Sequence, residues 1–357
     1  MGLRVAMRAD ASTLIGAGHV SRCLTIAEAI VARGGRVRVL GRAMPTHLRA
    51  WIEASGHEFV ALDSPAEAVS ELAHGAWLGT SQAADARDVV AALCDGSWDW
   101  MVVDHYAIDA HWHAAVRAAV PRLLAVDDLA DRRQDVEILL DQNLQGDPTR
   151  YHAQVPATCA LLLGPAYALV RESFRIARRT ARPRTGTVTR VLVFVGGGDV
   201  DNYTSRAIDA CRASGLTSGQ ADVVIGAGHP AAQTVQRQCD EAGYRCHVQT
   251  SDMARLMAHA DFAIGASGSA SWERCALGLP TLTFATAHNQ EPILDGLVAH
   301  GAVLALPQGT AVTADTLADA IRAAKDAPAR VRAVSEAGWG LVDGAGTDRV
   351  CDAMEAA

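Results

Sequence analysis

Residues 4–33 decide the fold: Arg4-Val5-Ala6-Met7-Arg8-Ala9-Asp10, then Ala11-Ser12-Thr13-Leu14-Ile15-Gly16-Ala17-Gly18-His19, then the amphipathic stretch Val20–Arg33. A short apolar run, a glycine-rich turn and an apolar repeat at helical spacing form the strand–turn–helix unit of parallel α/β proteins. Gly16 and Gly18 let backbone approach a ligand closely, and a helix N-terminus favours negative charge there. The dinucleotide fingerprint would need a third glycine at position 21, where Ser21 stands, so a nicotinamide cofactor is not expected. The position after Gly18 holds His19 instead. The positive end of the helix favours the neutral imidazole that a general base must be. A capping or packing histidine is the plain alternative. The flanking glycines and the Asp10 carboxylate on the same loop weigh toward function.

Working outward, the runs Arg36–Leu40, Glu58–Leu62, Trp100–Val103 and Leu123–Val126 read as further buried parallel strands, with a helical pattern at Asp85–Leu93. Two of them end in polar clusters, Asp104-His105-Tyr106 and Asp127-Asp128. The C-terminal ends of parallel strands share one edge, so Arg8, Asp10, Asp104, His105, Tyr106, Asp127 and Asp128 should surround one crevice. These carboxylates can hold sugar hydroxyls or orient His19, and Asp104 and Asp127 can equally cap the following segments.

The rhythm restarts at Val191–Val195 and continues through Val223–Ile225, Phe262–Ile264, Thr281–Phe284 and Ala302–Leu306, with helical patterns at Asp252–Ala260, Ser271–Leu277, Thr313–Lys325 and Ala329–Ala356. Between the halves, Arg171 to Arg190 carries seven arginines with the breakers Pro183 and Gly186, which reads as a solvated linker. The expected layout is an N-terminal Rossmann-like domain over 1–170, a linker over 171–189 and a C-terminal Rossmann-like domain over 190–357. Two doubly wound α/β domains joined this way imply a ligand-binding cleft between them. In the second half, Gly196-Gly197-Gly198-Asp199 and Ser267-Gly268-Ser269-Ala270-Ser271 are small-residue loops that open helices, a diphosphate cradle made of backbone N–H groups and hydroxyls. Glu273 falls in a first helical turn, able to accept ribose hydroxyls or simply to complement the helix dipole. Asp199-Val200-Asp201 has the spacing of a metal-binding pair but reads better as a helix cap, and no metal is expected.

Composition bounds the rest. The 357 residues are 50% hydrophobic and 20% charged, with a formal net charge of −8, which excludes wholesale disorder and argues against nucleic-acid or anionic-membrane binding. No run approaches a membrane span, and Arg8 and Asp10 come too early for a signal-peptide core. The eight cysteines are scattered singly. The expectation is a cytoplasmic protein with buried thiols, needing no cofactor, and a monomer.

The motifs also form an ordered set: Arg8–Ser12, Gly16–Val20, Val103–Tyr106, Asp127–Asp131, Leu139–Asn143, Gly164–Arg171, Gly196–Asp199, Trp272-Glu273-Arg274-Cys275-Ala276-Leu277-Gly278-Leu279-Pro280 and His288-Asn289-Gln290. Over essentially its full length the chain resembles the UDP-2,4-diacetamido-2,4,6-trideoxy-β-L-altropyranose hydrolases of bacterial pseudaminic acid biosynthesis, relatives of the GT-B glycosyltransferases. The resemblance implies a two-domain GT-B-like fold with the nucleotide held mainly by the C-terminal domain. It also implies metal-independent hydrolysis of a UDP-sugar at its anomeric carbon. On that basis His19, Tyr106 and Asn289 are the catalytic candidates. Arg8, Asp10, Gly16, Gly18, Asp104, His105, Arg171, Gly197, Gly198, Ser267, Gly268, Ser269 and Glu273 are the binding candidates. Ala17 and the serine-rich 267–271 segment depart from the family pattern. UDP is a good leaving group, so one base and no strong acid suffice, and in-line attack inverts the anomeric carbon. A glycosyltransferase using the same donor, or a non-catalytic nucleotide-sugar-binding protein, are the alternatives.

Overall fold

The apolar runs become parallel strands because each is short and has helices to cover both of its faces. A computed structural model describes residues 2–12, 14–63, 72–144 and 147–357. The chain divides into two units, Met1–Glu172 with Ala345–Ala357, and Ser173–Gly344. The first contains β1 (Arg4–Ala9), β2 (Arg36–Gly41), β3 (Glu58–Ala61), β4 (Trp100–Asp104), β5 (Arg122–Val126), β6 (Ile138–Asp141) and β7 (Ala160–Leu163), all parallel in the order β3-β2-β1-β4-β5-β6-β7. Its helices are α1 (Gly18–Ala32), α2 (Thr46–Ala54), α3 (Gln82–Ala92) and α4 (Ala110–Val116). Alternation along β1 splits the core: Val5, Met7 and Ala9 pack with Val20, Leu24, Ala27 and Ile30 of α1. Ala6 faces the other side, with Val89 of α3 and Trp112 of α4. Ala9 pairs with Asp104, which brings the polar end of β4 beside the loop leading into α1.

The second unit holds most of α5 (Glu172–Arg178), then β8 (Val191–Val193), α6 (Tyr203–Ala213), β9 (Ala221–Ile225), α7 (Ala232–Ala242), β10 (Arg245–Val248), α8 (Met253–His259) and β11 (Phe262–Ala266). It continues with α9 (Ala270–Ala276), β12 (Thr281–Phe284), α10 (Glu291–Ala299), β13 (Leu304–Ala305), α11 (Ala314–Asp326) and α12 (Pro328–Leu341). Its parallel sheet runs β10-β9-β8-β11-β12-β13. Each unit is a doubly wound, Rossmann-like sheet, the fold class the strand rhythm predicts.

Three features depart from the sequence reading. Strands β6, β7 and β10 have no counterpart in it; β7 and β10 are sheet edges, and their residues are largely half-buried or exposed. The helical pattern over 329–356 is broken where Val342 turns extended and Gly344 adopts φ +83°, so α13 (Gly346–Ala356) is separate and belongs to the first unit. Val350, Cys351 and Met354 of α13 are fully buried in the core of α1, and Trp100 Nε1 donates to Met354 O at 3.0 Å. An apolar stripe shows that a helix packs but not against which neighbour. Finally, five cysteines are buried, whereas Cys94 is exposed and Cys159 and Cys246 are half-buried.

Part of the arginine-rich segment is built into the second unit: Arg179, Arg182 and Arg190 are exposed, but Arg178 and Arg184 are not. Arg184 donates to Met257 O (2.8 Å), Ala258 O (3.1 Å), Ala260 O (2.9 Å) and Leu277 O (2.8 Å), joining the carbonyl ends of α8 and α9. A guanidinium has the donors to satisfy these orphan carbonyls and the charge to complement both helix dipoles. Arg178 donates to Ala276 O and Trp339 O and lies 3.5 Å from the centre of the Trp339 ring. Replacing Arg184 by Ala orphans four carbonyls, so Arg184→Ala is expected to lower unfolding stability by about 2–4 kcal/mol. Guanidinium-chloride unfolding measures this, and a change near zero would contradict the stapling role.

Candidate functional site

In the first unit the polar strand ends converge on His19. Its Nδ1 lies 2.6 Å from Asp104 Oδ1 at the end of β4. Arg22, one turn further along α1, donates to both oxygens of the same carboxylate, Nε to Oδ2 and Nη2 to Oδ1, each at 2.8 Å. Burial alone would push the Asp104 carboxyl up, but Arg22 and His19 together hold it below the ordinary carboxylate range. An ionised Asp104 only accepts, so Nδ1–H of His19 donates to it. That fixes the tautomer and leaves Nε2 as the basic nitrogen, with no hydrogen-bond partner among the described residues. The His19 side chain keeps 7% exposure and Asp104 none.

Tyr106 packs edge-on against His19, with ring centroids 4.7 Å apart, and its hydroxyl donates to Asp128 Oδ1 at 2.6 Å. Burial, then the Asp128 charge, push the phenol well above its ordinary value, so it stays protonated. Asp128 also accepts from Arg22 Nη1 and Asn143 Nδ2, both at 3.3 Å, which ties the two aromatic groups to one ion network. Trp77 lies 6.2 Å from His19 and 5.7 Å from Tyr106, and His74 stacks at a tilt against both Trp77 and Tyr106. Sequence reasoning missed Arg22, His74 and Trp77, and it quoted Asn143 within the motif Leu139–Asn143 without giving it a role. Of the three missed, only Arg22, one helical turn after His19, carried a signal in its position.

The structure moves several binding candidates beneath the surface. Arg8 and Asp10 are fully buried: Arg8 Nη2 donates to Asp10 (2.8 Å) and Asp85 (2.9 Å), and Asp10 Oδ1 accepts the N–H groups of Arg42 and Ala43. His105 is 3% exposed, with Nε2 at 3.2 Å from Asp10. Asp104 is likewise sealed. As placed, these side chains hold one another beneath the site. Asp127 is buried against Arg132 and accepts from Ala130 N, a local cap. Gly16, at φ +78°, and Gly18 leave open space where a side chain would stand. Arg171 is half-buried at the end of the first unit, its charge acting on Glu28.

In the second unit Gly197 and Gly198 open onto free space, and Gly226 must be glycine because a Cβ there would lie 2.3 Å from Gly197 O. Asp199 caps α6, accepting from Tyr203 N (2.9 Å), Thr204 N (2.7 Å) and Thr204 Oγ1 (2.6 Å), so its oxygens serve the helix. Ser267 is corrected from ligand contact to loop support: it is fully buried and donates to Phe284 O and Gln290 O. Gly268 is half-buried, Ser269 is exposed, and Glu273 lies half-buried in the first turn of α9. Asn289 is exposed on the short turn His288–Gln290 of this unit, whereas His19 and Tyr106 belong to the other. Among the described residues no group of three His, Cys, Asp or Glu is arranged to hold a metal, and no helix is long and apolar enough to cross a membrane.

No family model matches the chain. It is 28% identical over 204 residues to the spore coat polysaccharide biosynthesis protein SpsG of Bacillus subtilis, covering 56% of this chain and 60% of that protein. It is 21% identical over 203 residues to the UDP-2,4-diacetamido-2,4,6-trideoxy-β-L-altropyranose hydrolase of Campylobacter jejuni, covering 57% and 63% respectively. The chain thus spans about three fifths of the length of the curated relatives it matches. The crystal structure of Acinetobacter baumannii MurG superimposes with a TM-score of 0.62 at 13% identity, covering 100% of both chains, and shows a shared two-domain GT-B fold.

Behind Asp128 stands Asp141, where Tyr151 OH donates at 3.0 Å and Asn143 N at 3.0 Å. Burial pushes its carboxyl up to about 6; the Asn143 N–H opposes this and the Asp128 charge adds to it. A carboxyl raised in the folded state costs stability as it ionises, so the penalty is absent below about pH 4 and grows until pH passes 6. Asp141→Asn should therefore be more stable than wild type at pH 8 by about 1–2 kcal/mol and equal to it near pH 4. Urea unfolding at the two pH values tests this, and a pH-independent difference would contradict it.

Proposed function

We propose that the protein hydrolyses a UDP-sugar at its anomeric carbon, releasing UDP and 2,4-diacetamido-2,4,6-trideoxy-L-altrose as a cytoplasmic enzyme of pseudaminic acid biosynthesis. The observation that carries the reading is the His19–Asp104 pair, a histidine with a fixed tautomer and an unpartnered Nε2 on a glycine-rich loop. Water attacks the anomeric carbon while Nε2 takes its proton. The bond from that carbon to the diphosphate oxygen breaks, and UDP leaves with the electron pair. Attack opposite the leaving group inverts the carbon. Asp104 stabilises the imidazolium as it forms, and Arg22 keeps Asp104 ionised in its buried place. Tyr106, its hydroxyl held by Asp128, packs edge-on against the base and fixes one side of it. In the second unit Gly197, Gly198, Gly268 and Ser269 would hold the diphosphate, Glu273 the ribose hydroxyls, and Asn289 the sugar.

The relative named as such a hydrolase supports the substrate class, and the spore coat polysaccharide relative is consistent with sugar chemistry. A transferase would need an acceptor surface, often basic. Of the arginines over residues 33–42, Arg33 pairs with Asp352, Arg38 with Asp95 and Arg42 with Asp88, while Arg36 is exposed.

Purified protein given the UDP-sugar without acceptor should release stoichiometric UDP, and proton NMR should show the inverted anomer first. Release only on adding an acceptor would make it a transferase. His19→Asn should lower kcat by about 10²–10⁴ while sparing UDP affinity; near-normal turnover would remove His19 from the base role. Asp104→Asn keeps the side chain's shape but no longer dictates the tautomer, so kcat should fall by about 10²–10⁴ with UDP affinity unchanged by calorimetry.

A further inference from the structure

In the second unit a buried cation stands without a counter-charge. Arg274 of α9 is 3% exposed, yet among the described residues it forms no ion pair. Nη2 donates to Ala266 O at 2.6 Å and to Ser271 Oγ at 2.9 Å, while Nε is buried with no partner. The acidic residue that acts on it is its chain neighbour Glu273, through its charge and without a hydrogen bond to it. Burial dominates and lowers the guanidinium to about 10, so the site opposes the charge without removing it at neutral pH. The other buried arginines are all neutralised: Arg8 by Asp10 and Asp85, Arg22 by Asp104 and Asp128, Arg38 by Asp95 and Glu58, and Arg132 by Asp127. A buried charge left unpaired is costly, and such an orphan calls for an explanation.

Its location supplies one. Strand order reverses between β8 and β11, the point where open α/β sheets bind ligands outside the carboxyl ends of their strands. The guanidinium sits there: a Cβ on Gly265 would lie 2.8 Å from Arg274 Nη1 and 2.2 Å from Phe194 O, just past the end of β8. By chain order β8 and β11 lead from there into the Gly196–Gly198 and Gly268–Ser269 loops. The start of α6 is already used, because the Asp199 carboxylate caps it. The Ser267 hydroxyl faces carbonyls. We propose that Arg274 supplies the buried positive charge against which these loops hold the diphosphate of a nucleoside diphosphate. This rests on the proposed use of a UDP-sugar and assigns the charge that binds it. Arg274 acts through the loop, as a positioning residue.

The test compares UDP with uridine, measured by calorimetry on the full chain. Wild type should bind UDP more tightly than uridine. Arg274→Gln, which can still donate to Ala266 O, should lose UDP affinity by at least tenfold and keep uridine affinity within threefold. Arg274→Lys, which keeps the charge, should stay within threefold of wild type for both. Equal losses of UDP and uridine in the two variants would make Arg274 a loop staple only and overturn the proposal, as would unchanged UDP affinity in Arg274→Gln. Should Arg274→Gln not fold, Arg274→Lys decides alone: retained UDP affinity upholds the charge, and loss of UDP with uridine kept overturns it. Wild type that binds neither ligand would instead defeat the proposed function itself.

Discussion

Asp104, sealed at the end of β4 and shared between His19 and Arg22, is the constraint on which the polar network of the first unit depends. A buried carboxylate is tolerable only with a matched cation, and Arg22 meets it through two hydrogen bonds of 2.8 Å. Once ionised there, Asp104 dictates which nitrogen of His19 carries the proton. The same guanidinium reaches Asp128, and through it the phenol of Tyr106. One arginine therefore orders a histidine, the carboxylate that orients it and an aromatic neighbour. A change at Arg22 would propagate to all three.

The two units solve the problem of charge differently. The first balances every buried arginine with carboxylates, and the Arg8–Asp10–Asp85 cluster stiffens the floor beneath the site. In the second, Arg184 satisfies carbonyl ends of helices, and Arg274 is left with carbonyl and hydroxyl partners alone. With a net charge of −8 the chain as a whole repels anions, so a diphosphate needs a local source of positive potential. A helix of seven residues, α9, offers little dipole, which gives the buried guanidinium it carries greater weight.

Much of this was legible in the sequence because the signals are local. A strand, a glycine turn and an amphipathic helix announce themselves over thirty residues, and the restart at Val191 marks the second sheet. His19 was visible because glycines flank it. The fates of Arg8, Asp10, Asp104, His105 and Ser267 were not. A polar residue at a strand end can point up into a crevice or be sealed below it, and side-chain partners such as Asp85 for Arg8 lie 77 positions away. Trp77 and His74 sit on a short turn with no periodicity to mark them.

By itself the sequence determined two doubly wound α/β units, a loop histidine at a helix start and small-residue loops opening helices in the second half. These follow from the apolar period and from glycine, which act over neighbouring residues. Only the tertiary structure decided that Asp104 orients His19, that α13 returns to the first unit, that the arginine-rich segment staples helix ends, and that Arg274 is buried without a carboxylate. Those outcomes depend on which groups meet after the chain has folded, and burial makes each meeting energetically decisive.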